Sequence, residues 1–142
     1  MRGVTSVNEI TFNDNYWTPI PGYYPYEAYP TGEIRNMKTK RIMSQQTKSF
    51  SGNGYEQTYK FVHLRVDGRD VYPFIHRLIA LTFLPWPTGD LNEYDVDHID
   101  RDPTNNDILN LRWLPKEINR ALKSDIKPAT RRRIVEEYFK TI

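Results

Sequence analysis

Between Tyr59 and Leu84 the hydrophobic pattern changes period, and that change fixes the class of fold open to the chain. Tyr59-Lys60-Phe61-Val62-His63-Leu64-Arg65-Val66 alternates, which is the period of a half-buried strand. Asp67-Gly68 follows, a pair suited to a two-residue hairpin turn, so Arg69 to Phe74 returns as a partner strand. From Ile75 the spacing switches. Leu78, Ile79, Leu81 and Phe83 fit the buried face of a helix that Pro85 and Pro87 stop. Hairpins beside short helices make an α+β chain.

The flanking segments fill in around that anchor. Residues 1–14 read as a polar lead-in. Thr31-Gly32 turns Tyr26-Glu27-Ala28-Tyr29 back into Glu33 to Met37, a second hairpin. Lys38 to Gly54 is polar, basic and rich in Ser and Gly, and is expected to be a flexible loop. Tyr94 to Ile99 is a short strand, Arg101 to Asp107 a loop of turn formers, and Ile108 to Leu111 one apolar turn. Arg112-Trp113-Leu114 is a further strand. Pro115 then suits the first position of a helix running to about Lys123. Thr130 is the expected N-cap of a last helix, Arg131 to Lys140.

Several classes are excluded. The chain has no cysteine, so it has neither disulfides nor a thiolate zinc site. A mean hydropathy of −0.72 and 38% hydrophobic residues leave no run near the roughly 18 apolar residues of a membrane span. No apolar leader follows Met1, so the expected location is cytoplasmic, in the host cell if a phage encodes the chain. The net charge is only +2, but it is unevenly placed. Thr31 to Arg77 holds 9 Lys/Arg against 4 Asp/Glu, Trp86 to Leu111 holds 1 against 7, and Arg112 to Ile142 holds 9 against 4. Two basic arms therefore flank an acidic centre. The arms suit a polyanion. The centre would repel phosphate unless a cation sits there.

Within that centre the polar residues are unusual for their elements. Asp97 and His98 are neighbours on a strand, Asn110 lies between two strands, and Asn119 sits inside a helix. Asn costs a helix up to about 0.7 kcal/mol relative to Ala, so another role is worth seeking. The string Asp97-His98-Ile99-Asp100, Thr104-Asn105-Asn106, Asn110-Leu111-Arg112-Trp113 and Asn119 resembles the HNH endonucleases of phage and intron homing systems. The helix Ile75-His76-Arg77-Leu78-Ile79-Ala80 with Phe83 is similar to the one that precedes the motif there. Trp17-Thr18-Pro19-Ile20-Pro21-Gly22, with Tyr26, Gly32, Ile34 and Arg35, is similar to a small module often fused ahead of such nucleases.

The resemblance implies an N-terminal β-rich, DNA-contacting module over residues 1–70 and a ββα-metal (HNH, His-Me finger) nuclease core over 71–125. A basic C-terminal helix would span 126–142. It implies Asp97 and Asn119 as metal ligands, His98 as general base and Asn110 as the residue tying the inter-strand loop to backbone. The family motif ends in His where this chain has Asn119. An amide oxygen is harder than imidazole, so the ion implied is one Mg²⁺ or Mn²⁺ per site, not Zn²⁺. An imidazole with a pKa near 6.5 can take a proton from water at neutral pH, and the metal would screen charge on phosphate and leaving oxygen.

Double-stranded DNA is the expected partner, with no membrane and no organic cofactor. Arg35, Lys38, Lys40, Arg41, Arg131, Arg132 and Arg133 are the expected phosphate contacts. The products implied are 5′-phosphate and 3′-hydroxyl ends. Two alternatives remain open on sequence: a DNA-binding protein that keeps the fold without cutting, and a phage factor acting on a host protein. The sequence assigns no role to His63 or His76. It also sets a geometric demand, because adjacent residues on a regular strand face opposite ways. Asp97 and His98 share a site only if the strand bends or ends at them.

Overall fold

Four small antiparallel sheets and three helices make up the computed structural model, which describes residues 14–52, 55–122 and 126–141. The lead-in and the expected helix end at Lys123 lie outside the described residues. β1 (Thr18–Pro19), β2 (Tyr26–Ala28) and β3 (Ile34–Asn36) form the first sheet, with Glu27 opposite both Pro19 and Arg35. Thr31-Gly32 is the turn between β2 and β3, as the sequence predicts. Gly32 has φ 114°, and a Cβ there would meet the Cβ and carbonyl oxygen of Asn106 at 3.4 Å. This turn therefore packs against the loop between the two acidic-centre strands. The Ile108 N–H donates to Pro30 O at 2.8 Å across the same joint.

Within the expected loop over Lys38 to Gly54, residues 46–52 form a strand. β4 (Gln46–Gly52) pairs with β5 (Tyr55–Phe61) over seven residue pairs. Every residue of β4 is exposed, so it carries no buried apolar stripe, and its composition reads as loop. What holds it is the ladder to β5 and cross-strand contacts such as Ser49 Oγ to Thr58 Oγ1 at 2.8 Å. The alternating run after Tyr59 is also broken at Val62 and His63 into β5 and β6 (Leu64–Val66). β6 pairs with β7 (Arg69–Val71) through Asp67 (φ 52°) and Gly68 (φ 76°), both left-handed as a type I′ turn requires.

α1 (Ile75–Phe83) buries Ile75, Leu78, Ile79 and Ala80, and Leu84 ends it ahead of Pro85. β8 (Tyr94–His98) and β9 (Leu111–Pro115) pair with Asp97 opposite Arg112 and His98 opposite Leu111. Pro115 closes β9 and caps α2 (Lys116–Ala121) from outside, rather than opening it, because its ψ of 145° is still extended. α3 (Pro128–Lys140) starts earlier than the expected Thr130 cap. Pro128 takes the first-turn position, where its missing N–H costs nothing, and Lys127 stands at the N-cap.

One apolar cluster runs from Ile20, Tyr26 and Ile34 through Val62, Leu64, Ile75 and Leu78 to Val96 and Trp113, drawing residues from both sides of residue 70. A second joins Leu114, Leu122 and Val135, seating α3 on β9 and α2. Leu78 is fully buried where α1 meets the first cluster. Leu78→Ala is expected to cost about 2–5 kcal/mol, read from the urea unfolding midpoint. A loss below about 1 kcal/mol would mean that α1 is not central to this core. Among the described residues no helix is long and apolar enough to cross a membrane.

Candidate active site

β8 ends at His98, and that ending meets the geometric demand on Asp97 and His98. The Ile99 N–H donates to Asn110 O at 2.8 Å, and the Arg101 N–H folds back to His98 O at 3.0 Å, so the chain turns immediately after the histidine. Asp97 and His98 then line the same cavity of about 140 Å³, with Asn119 from α2 and with Tyr59, Arg101 and Pro103. The cavity is strongly polar in its side chains, which suits an ion and a phosphate more than an apolar ligand.

Asp97 is 4% exposed and is held by two guanidinium groups: Arg112 Nε at 2.8 Å and Arg101 Nη1 at 3.5 Å. Arg101 also donates through Nη2 to Leu122 O at 3.2 Å, tying the turn after β8 to the end of α2. To do so it takes φ 69°, a left-handed conformation costing a non-glycine residue roughly 1–2 kcal/mol. Arg131, at the start of α3, lies in the same field. Its pKa is drawn down by burial and by Arg101, and drawn up by Asp97.

His98 is buried, and its Nε2 lies 2.9 Å from Asn106 Oδ1. With the ring proton on Nε2, that nitrogen donates to Asn106 and Nδ1 keeps its lone pair. Burial lowers the His98 pKa below the ordinary imidazole value, against the opposing pull of the Asn106 hydrogen bond and of the Asp97, Asp100 and Asp102 charges. His76 sits beside it, ring centroids 5.0 Å apart, with its pKa lowered to about 3 by burial first and by His98 and Arg77 after that. Both rings are neutral at neutral pH.

Asn110 holds the loop between β8 and β9. Its Oδ1 accepts from the Asp100 N–H at 2.9 Å, and its Nδ2 donates to Asp100 Oδ1 and Asn105 O, each at 2.9 Å. Asn119 donates through Nδ2 to Asp95 Oδ2 at 3.1 Å. An amide engaged through its nitrogen presents its oxygen on the other side. Asp97 and Asn119 both bring oxygens to the lining of this cavity, and among the described residues no cluster of three or more His, Cys, Asp or Glu suits a metal. One carboxylate and one amide fit a hard cation that keeps several waters or takes phosphate oxygens.

Arg131 apart, the basic residues expected to touch DNA lie elsewhere. Arg35 is committed to Glu27 through Nε at 2.5 Å and covers the Trp17 ring at 4.1 Å. Lys38 lies over Tyr24, and Lys40 and Arg41 are exposed just beyond β3. Arg132 and Arg133 are exposed on α3. His63 is far from this chemistry in its contacts, bonded to Asp70 Oδ1 at 3.0 Å and stacked on Tyr72.

Residues 74–121 match the family model of the HNH endonucleases. The chain carries an HNH endonuclease domain. An uncharacterized HNH endonuclease of Acanthamoeba polyphaga mimivirus is 29% identical over 125 residues, 87% of this chain and 29% of the relative. The H-N-H endonuclease F-TflII of Escherichia phage T5 is 31% identical over 101 residues, 71% of this chain and 48% of the relative. The DNA endonuclease I-HmuI of Bacillus phage SP01 is 31% identical over 104 residues, 72% of this chain and 54% of the relative. The solved structure of that HNH homing endonuclease, described for its DNA binding and cleavage, matches with a TM-score of 0.57 and 26% identity, over 84% of this chain and 66% of the other. The chain thus spans about half the length, or less, of the curated relatives it matches.

Sequence reasoning missed three residues of the HNH site. Arg101 lies in the predicted loop of turn formers and Arg112 in a predicted strand, neither with an assigned role, yet both hold Asp97. Asn106 reads as a turn former, yet it is 5% exposed and bonded to His98. The available signal was the register: Arg112 falls opposite Asp97 once β8 and β9 are paired.

Proposed function

We propose that the HNH domain is a divalent-metal-dependent endonuclease that hydrolyses phosphodiester bonds in double-stranded DNA. The observation that carries this reading is the convergence of Asp97, His98, Arg101 and Asn119 on one small cavity, with His98 buried, neutral and bonded at Nε2. His98 Nδ1 takes the proton from the attacking water. Asp97 and Asn119 hold one Mg²⁺ or Mn²⁺, which when bound stabilises charge on the phosphate and the leaving 3′ oxygen. Asn110 keeps the loop closed, Asn106 holds the His98 ring, and Arg112 fixes the Asp97 carboxylate. The exposed Lys38, Lys40, Arg41, Arg132 and Arg133 supply backbone contacts, so affinity falls steeply with salt. The matching solved structure is of an HNH homing endonuclease and two curated relatives are phage proteins, which supports a homing-type role in a host cell.

Supercoiled plasmid tests the reading. Wild-type protein is expected to relax it with Mg²⁺ or Mn²⁺ and not with EDTA, and Asp97→Ala is expected to leave it intact. Plasmid untouched by wild type under both ions would remove the assignment for that DNA.

Arg101 makes a sharper test of the ligand set. Its guanidinium and a cation compete for Asp97 Oδ1. Arg101→Gly removes the competitor and also relieves the left-handed strain. Mn²⁺ titrated calorimetrically without DNA is expected to bind severalfold tighter to this variant. Equal or weaker binding would show that Asp97 is not the shared group.

A further inference from the structure

A second cavity, about 460 Å³, opens on the other side of Tyr59, Val96 and Asn119 and shares those three residues with the polar site. Its wall is aromatic. Tyr59 and Phe74 have ring centroids 5.7 Å apart, and His76 lies 5.5 Å from each of them. Phe50, on the outer strand of the exposed hairpin, reaches this wall at 5.9 Å from Tyr59 and 6.2 Å from Phe74. Phe50 is 47% exposed on a strand whose other side chains are Gln, Thr, Lys and Ser. The protein spends a large aromatic where solubility favours a polar residue.

We propose that this cavity receives one nucleobase, unstacked from the DNA beside the phosphate at His98. Three observations select a base as the occupant. First, the volume falls within the range of about 300–1,000 Å³ usual for small-molecule sites, and its walls offer ring faces, which every base can stack on. Second, the polar groups that line it suit a base better than a phosphate, and the nearby Lys48, over the Phe50 ring at 5.4 Å, stands at its rim. Asp95 lines the cavity as a carboxylate, and Arg77, the lining cation, is spent on Tyr94 O at 2.8 Å, on Leu91 O at 3.2 Å and on the Trp113 ring. A carboxylate accepts from the exocyclic amine of a base. His76 Nδ1 adds a buried polar atom with no hydrogen-bond partner among the described residues. Third, the cavity continues from the catalytic one: the His98 ring lies 5.0 Å from His76 and 6.2 Å from Tyr59. A nucleotide whose phosphate lies at His98 carries its base one sugar away, which is where the aromatic wall stands. Unstacking that base also bends the strand away from its neighbours and frees the adjacent phosphate.

The neighbouring phosphate rests on the nuclease reading, whereas base stacking does not, and the two are separable. A single-stranded oligonucleotide of about 12 residues carrying one 2-aminopurine is titrated with protein in EDTA, where nothing is cut. Stacking is expected to quench the 2-aminopurine emission. Phe50→Ala, which alters an exposed side chain, is expected to weaken binding about tenfold and to remove most of the quench. Tyr72→Ala, an exposed aromatic outside the cavity, is the control and is expected to change neither. Phe74→Leu is expected to reproduce the Phe50 result, with far-ultraviolet circular dichroism as the check that it folds. Binding without quench overturns the proposal, as does a quench that survives both cavity variants, or no binding. Plasmid cleavage is scored on the same proteins. Cleavage with no quench leaves the nuclease reading standing alone, and quench with no cleavage does the reverse.

Discussion

His98→Ala is expected to lower the single-turnover rate of DNA cleavage by roughly 10²–10⁴-fold at saturating Mg²⁺, the usual contribution of a positioned base. The side chain does two things that Ala cannot. It holds a lone pair at Nδ1 while Nε2 is bonded to Asn106, and it fills a buried position between that loop and His76. The chemical loss is separable from the structural one. Truncation leaves the Asn106 amide without its bond, a penalty of about 1–3 kcal/mol in stability, so the variant is assayed well below its own unfolding midpoint. Asn106→Ala keeps the histidine and loses only the restraint on its ring. It is expected to fall between wild type and His98→Ala in rate. A His98→Ala rate within fivefold of wild type would take the base role away from this residue.

The second large effect concerns acid stability and belongs to His76. Its folded pKa is about 3, while an unfolded histidine titrates near 6.5. Between those values the unfolded chain binds a proton that the folded chain refuses. Unfolding free energy therefore falls as pH falls, by up to about 1.4 kcal/mol per pH unit from this group, and is flat in this term above about pH 7. The groups facing the ring keep it neutral: Tyr59 and Phe74 exclude water, while His98 and Arg77 oppose a new positive charge. Asp95 lines the same cavity and is itself engaged by Asn119 and Lys116. His76→Phe keeps the aromatic wall and removes the titration. Its melting temperature is expected to match wild type at pH 7.5 and to exceed it increasingly from pH 6.5 to 4.5. Parallel curves across that range would show that His76 is protonated in the folded protein.

Much of this arrangement is legible in the sequence because the strongest local signals are also the global ones. Asp67-Gly68 and Thr31-Gly32 name their turns, and the apolar spacing of Leu78 and Ile79 names the helix. Asp97, His98, Asn110 and Asn119 stand out as polar residues at positions that ordinarily favour something else. The hairpin of β4 and β5 was hidden because its outer strand is exposed throughout and carries no alternation. The two arginines on Asp97 were hidden for another reason. Arg112 reaches it only through strand register, and Arg101 only through a left-handed turn that arginine rarely adopts. The aromatic wall is the extreme case, since Phe50, Tyr59, Phe74 and His76 come from three separate elements and no spacing links them.

The Thr31-Gly32 turn leans on Asn106, and Asn106 holds the His98 ring. Gln45 Nε2 also donates to Gly32 O at 3.1 Å, so the turn is gripped from a third side. Recognition modules of small nucleases are attractive to exchange, since a new one promises a new target. Here the first sheet is not an interchangeable part. A graft that replaces it also replaces the surface that backs Asn106 and, through it, the His98 ring, and a transplanted module without glycine at that corner must hold a side-chain-bearing residue at φ 114° against Asn106.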